Sequence, residues 1–158
     1  MQDVVIVSAC RTAIGDFLGS LKDTPAKTLG MICGEEAIKR AGIEKEIIDE
    51  VMCGNVLQAG NGGNIGRQIA IGLGIPSHTG GFTVNQLCAS AMRAFEIGCQ
   101  NIMLGKINTA LIIGIENMSI APYLVLKARS GYRMGPGTLE DHMSVSYTHL
   151  TLPTKRIV

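Results

Sequence analysis

The sequence predicts an α/β fold, a mostly parallel sheet with helices on both of its faces. Short runs rich in β-branched apolar residues alternate along the chain with segments whose apolar residues recur at helical spacing. The first of these runs is apolar throughout, as in a strand that is covered on both faces. Alternating strands and helices build parallel sheets, in which functional residues gather at the carboxyl ends of the strands. The predicted strands are residues 4–7, 51–57, 82–84 and 109–115.

The helix after the first strand is predicted to begin at Thr24, because Thr is a favoured N-cap and Pro25 suits the first helical position. It is predicted to end at Gly42, since glycine readily adopts the left-handed conformation that closes a helix. Glu35 and Lys39 are spaced to form an ion pair on its exposed side. Its predicted buried face consists of Ala26, Leu29, Cys33, Ala37 and Ala41.

A glycine-rich loop, residues 58–64 (QAGNGGN), follows the second predicted strand. It lacks the Gly-Lys-Ser/Thr ending of a P-loop and the spacing of G-x-G-x-x-G, so we interpret it as a structural loop and not a nucleotide site. Ile65, Ile69 and Leu73 then predict a short helix that ends near Gly74.

The segment around Cys88 carries the candidate chemistry. Residues 82–84 predict a strand, and apolar residues at helical spacing predict a long helix from Leu87 to Gly105. Cys88 is then predicted to lie in the first turn of that helix, next to the carboxyl end of a strand. The predicted helical face consists of Leu87, Ala91, Phe95, Gly98 and Ile102.

The predicted position of Cys88 favours a reactive thiol. Unpaired N–H groups and the helix dipole stabilise a thiolate at a helix N-terminus, and the same groups can stabilise an oxyanion. The small residues Ala89, Ser90 and Ala91 follow the cysteine and leave room for a substrate. The alternative is a buried core cysteine, since cysteine is among the most buried residue types. Position alone leaves both interpretations open.

Composition and charge exclude several classes of function. With 158 residues and a net charge of +1, the sequence shows no basic surface for nucleic acid. No apolar segment reaches the roughly 18–20 residues that span a bilayer, so no membrane partner is expected. The amino terminus lacks the basic region of a signal peptide. The five cysteines include no C-x-x-C pair, which favours reduced thiols in the cytoplasm and no metal site.

Five stretches of the sequence, taken together and in order, point to one family. They are VVIVSACRTAIGDFLGSLKD, GNVLQAGNGGNIGRQIA, VNQLCASAMRA, IIGIENMSIAPYL and RSGYRMGPGTLEDHM. They resemble signature segments of the thiolases, the acetyl-CoA C-acetyltransferases, and the third contains the cysteine that thiolases acylate, here Cys88. The resemblance runs from Met1 to about Met143 and implies a thiolase-like half-fold. Five ordered matches favour the nucleophile over the core cysteine.

The resemblance implies an acyltransferase. Thiolases join two acetyl-CoA molecules into acetoacetyl-CoA, or cleave a 3-ketoacyl-CoA in reverse, and use CoA thioesters as substrates with no further cofactor. By this resemblance Cys88 carries the acyl group as a thioester, and its backbone N–H contributes to the oxyanion hole. The family also implies a homodimer or homotetramer and a role in fatty acid metabolism.

Other catalytic motifs of thiolases are not found in this sequence. Members of the family activate the cysteine with a His in Gly-His-Pro, deprotonate the second substrate with a later Cys, and bind an oxyanion with an Asn in Asn-Glu-Ala-Phe. His78 and His142 do not stand in the base motif and are interpreted as surface or structural residues. Most of the CoA-binding region of the family is also missing, so no CoA-binding residue is assigned.

We therefore expect the amino-terminal portion of a thiolase, which is inactive by itself. Its α/β domain is predicted to span residues 1–120, and residues 121–143 begin the loop domain. Residues 144–158, from about Ser144, no longer resemble thiolases and are interpreted as an artefactual tail, with a genuine divergent terminus as the alternative. Two other hypotheses stay open. They are another condensing or lipid-transfer member of the superfamily, and a catalytically inactive structural or interaction module.

No catalytic role is predicted for four further residues. Cys10 follows the first strand and is interpreted as a packing residue. Cys99 lies about 16 Å from Cys88 along an ideal helix, so these two cysteines cannot share a disulfide or a metal. Glu116 and Asn117 follow the last strand and are predicted to make structural hydrogen bonds.

Overall fold

Three parallel strands form the central sheet of the chain. A computed structural model describes residues 2–147. Because the three strands run in the same direction, their carboxyl ends meet at one edge of the sheet. The strands are β1 (Glu50–Gly54), β2 (Gly80–Val84) and β3 (Ala110–Gly114), in the order β2–β1–β3.

Helices cover both faces of this sheet. Val51 and Cys53 belong to a buried apolar cluster with residues of α1 (Ala26–Ala41) and α2 (Ile65–Gly72). Met52, whose side chain alternates to the opposite face, contacts α3 (Ser90–Met103) near Gly98. The predicted α/β architecture with helices on both faces is confirmed.

The buried face of α1 differs from the prediction. Its fully buried positions are Ala26, Gly30, Gly34 and Ile38, of which only Ala26 was predicted. A Cβ atom on Gly30 would lie 2.6 Å from the side chain of Ile69, so α1 and α2 pack at close range through glycine. A count of apolar residues does not register such a face, because glycine adds no apolar side chain to it. The predicted residues that lie half-buried beside it are Leu29, Cys33, Ala37 and Ala41.

The start of α1 and its ion pair also differ from the prediction. Pro25 and not Thr24 occupies the N-cap position, and no side chain caps the helix. The N–H of Thr24 instead closes the preceding turn. Glu35 pairs with Lys45 at 2.7 Å and not with Lys39, because the chain returns past the end of α1 and brings Lys45 within reach.

The predicted helix ends are confirmed. Gly42, Gly74 and Gly105 all adopt the left-handed conformation, with φ of 64°, 73° and 67°. At the start of α2, the side chain of Asn64 accepts a hydrogen bond from the N–H of Arg67 at 3.1 Å and so acts as the N-cap.

Residues 4–7 do not form a strand, so this part of the prediction is wrong. The segment pairs with no strand within the described residues. A strand that is apolar on both faces needs a neighbouring strand and a covering layer on each side, and the described part of the chain provides neither here. The side chains are therefore left in solvent, with exposed fractions of 75% for Val5, 70% for Ile6 and 65% for Val7.

Short elements follow the central sheet. β4 (Tyr123–Leu124) pairs antiparallel with β5 (Glu140–Asp141), and α4 (His142–Tyr147) comes directly after it. The domain boundaries near residues 120 and 143 stay predictions. Most of the predicted tail lies outside the described residues. None of the helices within the described part combines the length and the apolar character needed to cross a membrane.

Candidate active site

A cavity of about 410 Å³ opens at the carboxyl-terminal edge of the sheet. Its walls come from the loop after β1, the turn before α3 and the residues after β3. Cys88 lies on the wall that the turn provides, and Asn55 and Glu116 line other parts of the same cavity. The cavity therefore lies at the edge where parallel α/β sheets usually hold their functional residues.

Cys88 lies before α3 and not inside it. The helix begins at Ser90 with Ala89 at its N-cap position, so the predicted placement in the first helical turn is wrong by two residues. The Cys88 side chain is exposed, which contradicts a buried core cysteine. The thiol can thus be reached from the cavity without any rearrangement of the core.

The face of α3 that packs on the sheet consists of small residues. Its buried positions are Ser90, Ala94 and Gly98, so only Gly98 of the predicted face is fully buried. A Cβ atom on Gly98 would lie 2.8 Å from the side chain of Ile112, which shows how closely the helix approaches the sheet. Larger residues cannot occupy this contact, and Phe95 is 38% exposed on the flank.

A left-handed residue shapes the turn that carries Cys88. Leu87 has a φ of 51°, a conformation that residues with a Cβ adopt only under constraint. Asn85 Oδ1 accepts the N–H of Leu87 at 3.1 Å. The Ser90 hydroxyl accepts the N–H of Gln86 at 2.8 Å and donates to the Leu87 carbonyl at 2.6 Å. These hydrogen bonds do not use the N–H of Cys88.

Glycines at the ends of two strands let α3 approach the cavity. A Cβ atom on Gly54 would overlap the backbone of Ala91, and one on Gly114 would lie 2.6 Å from the Ala91 side chain. The first turn of α3 therefore lies directly over the carboxyl ends of β1 and β3. This close approach brings the turn that carries Cys88 to the same edge as the loop after β1.

Glu116 ties the end of β3 to the loop after β1. Its carboxylate accepts hydrogen bonds from Asn55 Nδ2 and the N–H of Val56, both at 2.8 Å, and from the N–H of Leu57 at 3.3 Å. Burial raises the pKa of Glu116, and these donors work against that shift. Because the carboxylate takes up these N–H groups, β1 ends at Gly54 and is shorter than predicted. The predicted structural hydrogen bonding of Glu116 is confirmed.

Asn117, the next residue, ties a different loop to the same edge. Its side-chain amide donates to the carbonyls of Leu21, Lys22 and Thr24 at 3.1, 3.1 and 2.7 Å. Asn117 therefore holds the loop before α1 against the end of β3, and its predicted structural role is also confirmed.

Comparison with known proteins identifies the family. A sequence model of the family described as thiolase, N-terminal domain, matches residues 4–154. This chain belongs to the thiolase family. The matched range continues past the predicted boundary at Ser144, which stays a prediction.

Curated relatives of this thiolase chain include acetyl-CoA acetyltransferases. The protein of that name from Syntrophomonas wolfei is 48% identical over 144 residues, which cover 90% of this chain and 36% of the relative. The acetyl-CoA acetyltransferase of Escherichia coli K12 is 48% identical over 142 residues, with 89% and 36% covered. The chain thus spans about a third of the length of these relatives.

Solved thiolase structures share the fold. The acetyl-CoA acetyltransferase from Syntrophomonas wolfei superposes with a TM-score of 0.84 at 48% identity, over 88% of this chain and 35% of that structure. The Acat5 thiolase from Ascaris suum, solved in complex with coenzyme A, superposes with a TM-score of 0.86 at 39% identity, over 90% and 37%. The predicted thiolase-like fold is confirmed.

The other cysteines of the thiolase chain are buried or half-buried, and none of them lines the cavity. Cys53 is fully buried in the core, where burial raises the pKa of its thiol to about 12. Cys10 is half-buried and donates to the Cys33 carbonyl at 3.1 Å, in agreement with its predicted packing role. Cys99 is half-buried on α3. Cys88 is therefore the exposed member of the five.

The histidines do not join Cys88 at the cavity wall within the described residues. His78 is exposed after α2, as predicted for a surface residue. His142 is half-buried, and its interaction with Glu116 lowers the pKa of the Glu116 carboxyl, against the larger effect of burial. Sequence reasoning missed the positioning residues Gly54 and Gly114, although a glycine at the end of each strand was the available signal.

Proposed function

We propose that Cys88 is the acyl acceptor of an acetyl-CoA acetyltransferase. The observation that carries this proposal is an exposed cysteine on the wall of a cavity, at the carboxyl edge of a parallel sheet, in a chain of the thiolase family. The relatives named above are acetyl-CoA acetyltransferases, and one solved neighbour was obtained with coenzyme A. Acetyl-CoA or another acyl-CoA is therefore the proposed substrate.

In the first half of the proposed reaction, the Cys88 thiolate attacks the carbonyl carbon of an acetyl thioester. The tetrahedral oxyanion collapses, the bond to the CoA sulfur breaks, and the acetyl group remains on Cys88 as a thioester. The backbone N–H of Cys88 is the proposed donor to this oxyanion. This assignment is supported by the turn, whose hydrogen bonds use the N–H groups around Cys88 but not its own.

In the second half, a carbanion formed from another acetyl-CoA attacks the acetylated Cys88. The new carbon–carbon bond gives acetoacetyl-CoA, and the Cys88 thiolate leaves. The reverse direction cleaves a 3-ketoacyl-CoA, with CoA taking the acyl group from Cys88. The base for the carbanion and the base that activates Cys88 belong to thiolase motifs that this sequence does not contain. We therefore propose that the 158-residue chain does not complete this cycle alone.

The wider setting is proposed from the same family membership. A cytoplasmic location agrees with the name of one relative, the cytosolic acetyl-CoA acetyltransferase of Gibberella zeae, 46% identical over 141 residues. A role in fatty acid metabolism and a homodimeric or homotetrameric state belong to this proposal. So does the use of CoA thioesters with no further cofactor.

The experiment that tests the proposal is thiolysis of acetoacetyl-CoA by a chimera. In the chimera, residues 1–143 of this chain replace the matching part of the Syntrophomonas wolfei relative. We expect measurable thiolysis and a loss of at least about a thousandfold in Cys88→Ser, because the covalent route is closed. The matched control is Cys99→Ser, a half-buried cysteine of α3 for which we expect full activity. Equal activity of Cys88→Ser and the unmodified chimera would overturn the proposal.

A further inference from the structure

The turn before Cys88 is held in a conformation that its sequence does not favour. Leu87 has a φ of 51°, where the side chain crowds the backbone and where glycine or asparagine is the usual residue. Such a conformation persists only where surrounding contacts fix it, and these positions cluster at functional sites. The contacts around Leu87 therefore indicate which backbone groups of the turn are held in place.

The Ser90 side chain supplies two of those contacts. Its hydroxyl accepts the N–H of Gln86 at 2.8 Å and donates to the Leu87 carbonyl at 2.6 Å, so it bridges the Asn85–Gln86 and Leu87–Cys88 peptide groups. Ser90 is 4% exposed, which keeps water from competing for these hydrogen bonds. Asn85 adds a third contact to the N–H of Leu87, but from an exposed position.

The Leu87 carbonyl and the Cys88 N–H belong to one planar peptide group. In a trans peptide these two groups point in opposite directions, and the described chain contains no cis peptide. Fixing the carbonyl toward Ser90 therefore also fixes the direction of the Cys88 N–H, away from Ser90. The backbone N–H of Ser90 also donates to this carbonyl, at 2.9 Å, so the hydroxyl adds a second and shorter hydrogen bond that helps to orient a donor it does not touch.

We propose that Ser90 is a positioning residue for acyl transfer to Cys88, acting through the Leu87–Cys88 peptide group. The inference rests on the proposed role of Cys88 and of its N–H as an oxyanion donor. Ser90 does not contact the reacting atoms in this proposal. It holds the N–H in one direction, so that no reorganisation is needed when the oxyanion forms.

Two reactions of the Cys88 thiol separate this role from a merely structural one. Alkylation by iodoacetamide is a displacement at saturated carbon and forms no oxyanion. Transfer of the acetyl group from phenyl thioacetate forms a tetrahedral oxyanion, then gives acetyl-Cys88 and thiophenolate. Because the probe is an activated thioester, it acetylates a thiolate without the missing base. The ratio of the two rate constants on Cys88 therefore reports the oxyanion donor and cancels changes in thiol exposure or ionisation.

We expect Ser90→Ala to lower this ratio by roughly tenfold in the 158-residue chain, because the Leu87 carbonyl keeps only its backbone hydrogen bond to residue 90 and the Cys88 N–H is held less firmly. Ser90→Thr restores the hydroxyl and should restore the ratio. Leu87→Gly combined with Ser90→Ala removes the left-handed strain, so this variant keeps the turn folded while the ratio stays low. Peptide mass spectrometry after timed quenching measures both rates at Cys88.

The possible outcomes distinguish this inference from the function on which it rests. A donor-assisted thiol has a higher ratio of acetylation to alkylation rates than a small model thiol. If the unmodified chain shows this higher ratio and Ser90→Ala keeps it, the role of Ser90 is overturned and that of Cys88 stands. If the unmodified chain shows no elevated ratio, both the oxyanion donor and the role of Ser90 are overturned. A fall in Ser90→Ala that Ser90→Thr reverses supports both.

Discussion

Two cysteines near the carboxyl edge of the sheet have opposite environments. Cys53 is the residue before the last residue of β1 and is fully buried, while Cys88 is exposed in the turn after β2. Burial raises the pKa of the Cys53 thiol to about 12, and the carboxylate of Glu116 adds to the shift. The thiolate is the reactive form of cysteine. Cys53 is therefore protected because reagents cannot reach it and because its thiol stays protonated, whereas reagents in solvent can reach Cys88.

At the residue scale we expect N-ethylmaleimide to modify Cys88 at least about tenfold faster than Cys53 in the folded chain. The raised pKa keeps the Cys53 thiol protonated at every pH well below about 12, so mild alkali should not bring the labelling rate of Cys53 up to that of Cys88. Timed labelling followed by peptide mass spectrometry gives the two rates. Cys53→Ala serves as the control that keeps the rapid label, and Cys88→Ala should lose it. Similar rates for the two thiols in the folded chain would contradict this account.

The sequence points to the proposed nucleophile, Cys88, but not to the backbone geometry of the turn that carries it. Cys88 could be selected from its position after a strand and from the family resemblance. The left-handed conformation of Leu87 could not be predicted, because leucine is not typical of that conformation. The contacts of Ser90 and Asn85 that hold it are made only in the folded turn.

At the scale of elements, the site depends on how closely α3 approaches the strand ends. The helix meets the sheet through small residues, and its first turn lies over Gly54 and Gly114. Side chains at these positions would force the helix away from the sheet and shift the turn that carries Cys88. Well-packed contacts of this kind tolerate added volume poorly.

We expect Gly114→Ala to destabilise the chain by about 1–3 kcal/mol, because the new Cβ atom would lie 2.6 Å from the side chain of Ala91. Adding Ala91→Gly removes the Cβ atom of residue 91 that the new side chain would contact, and should recover part of the lost stability. The matched control is Gly63→Ala, where a Cβ atom meets nothing within 4 Å and φ is not left-handed. Thermal unfolding measures all four proteins. A loss in Gly63→Ala as large as in Gly114→Ala would show that the close approach is not the cause.

Strands β1–β3 could be predicted from their β-branched apolar runs, and the predicted glycine helix ends were correct. The same reasoning failed for residues 4–7, because a strand also needs a partner that composition does not reveal. It also misplaced the buried faces of α1 and α3, since both pack through glycine, alanine or serine. Contacts between small residues leave little signal in hydrophobic periodicity.

At the scale of the whole molecule, the exposed apolar segment near the amino terminus stands out. Val5, Ile6 and Val7 present adjacent apolar side chains to solvent, unlike the singly scattered apolar residues that are normal on surfaces. Such a surface favours association with another apolar surface. The 158-residue chain alone therefore has a reason to self-associate.

We expect the isolated chain to be insoluble or to form oligomers, and Val5→Ser with Ile6→Ser to shift it toward monomer without changing its thermal unfolding. The control is Met134→Ser, which removes an apolar side chain that is 95% exposed elsewhere on the surface and should leave the association state unchanged. Sedimentation velocity measures the distribution of species. A monodisperse monomer of the unmodified chain at moderate concentration would contradict this expectation.

The measurement that tests the central claim most directly is the location of the acetyl group on the chimera. The chimera that carries residues 1–143 of this chain is mixed with acetyl-CoA, quenched in acid within the first turnover, digested and analysed by tandem mass spectrometry. We expect one acetyl group on the peptide that contains Cys88, attached at that residue, and none in Cys88→Ser. Acetylation at another residue, or acetyl transfer that persists in Cys88→Ser, would show that Cys88 is not the acyl acceptor.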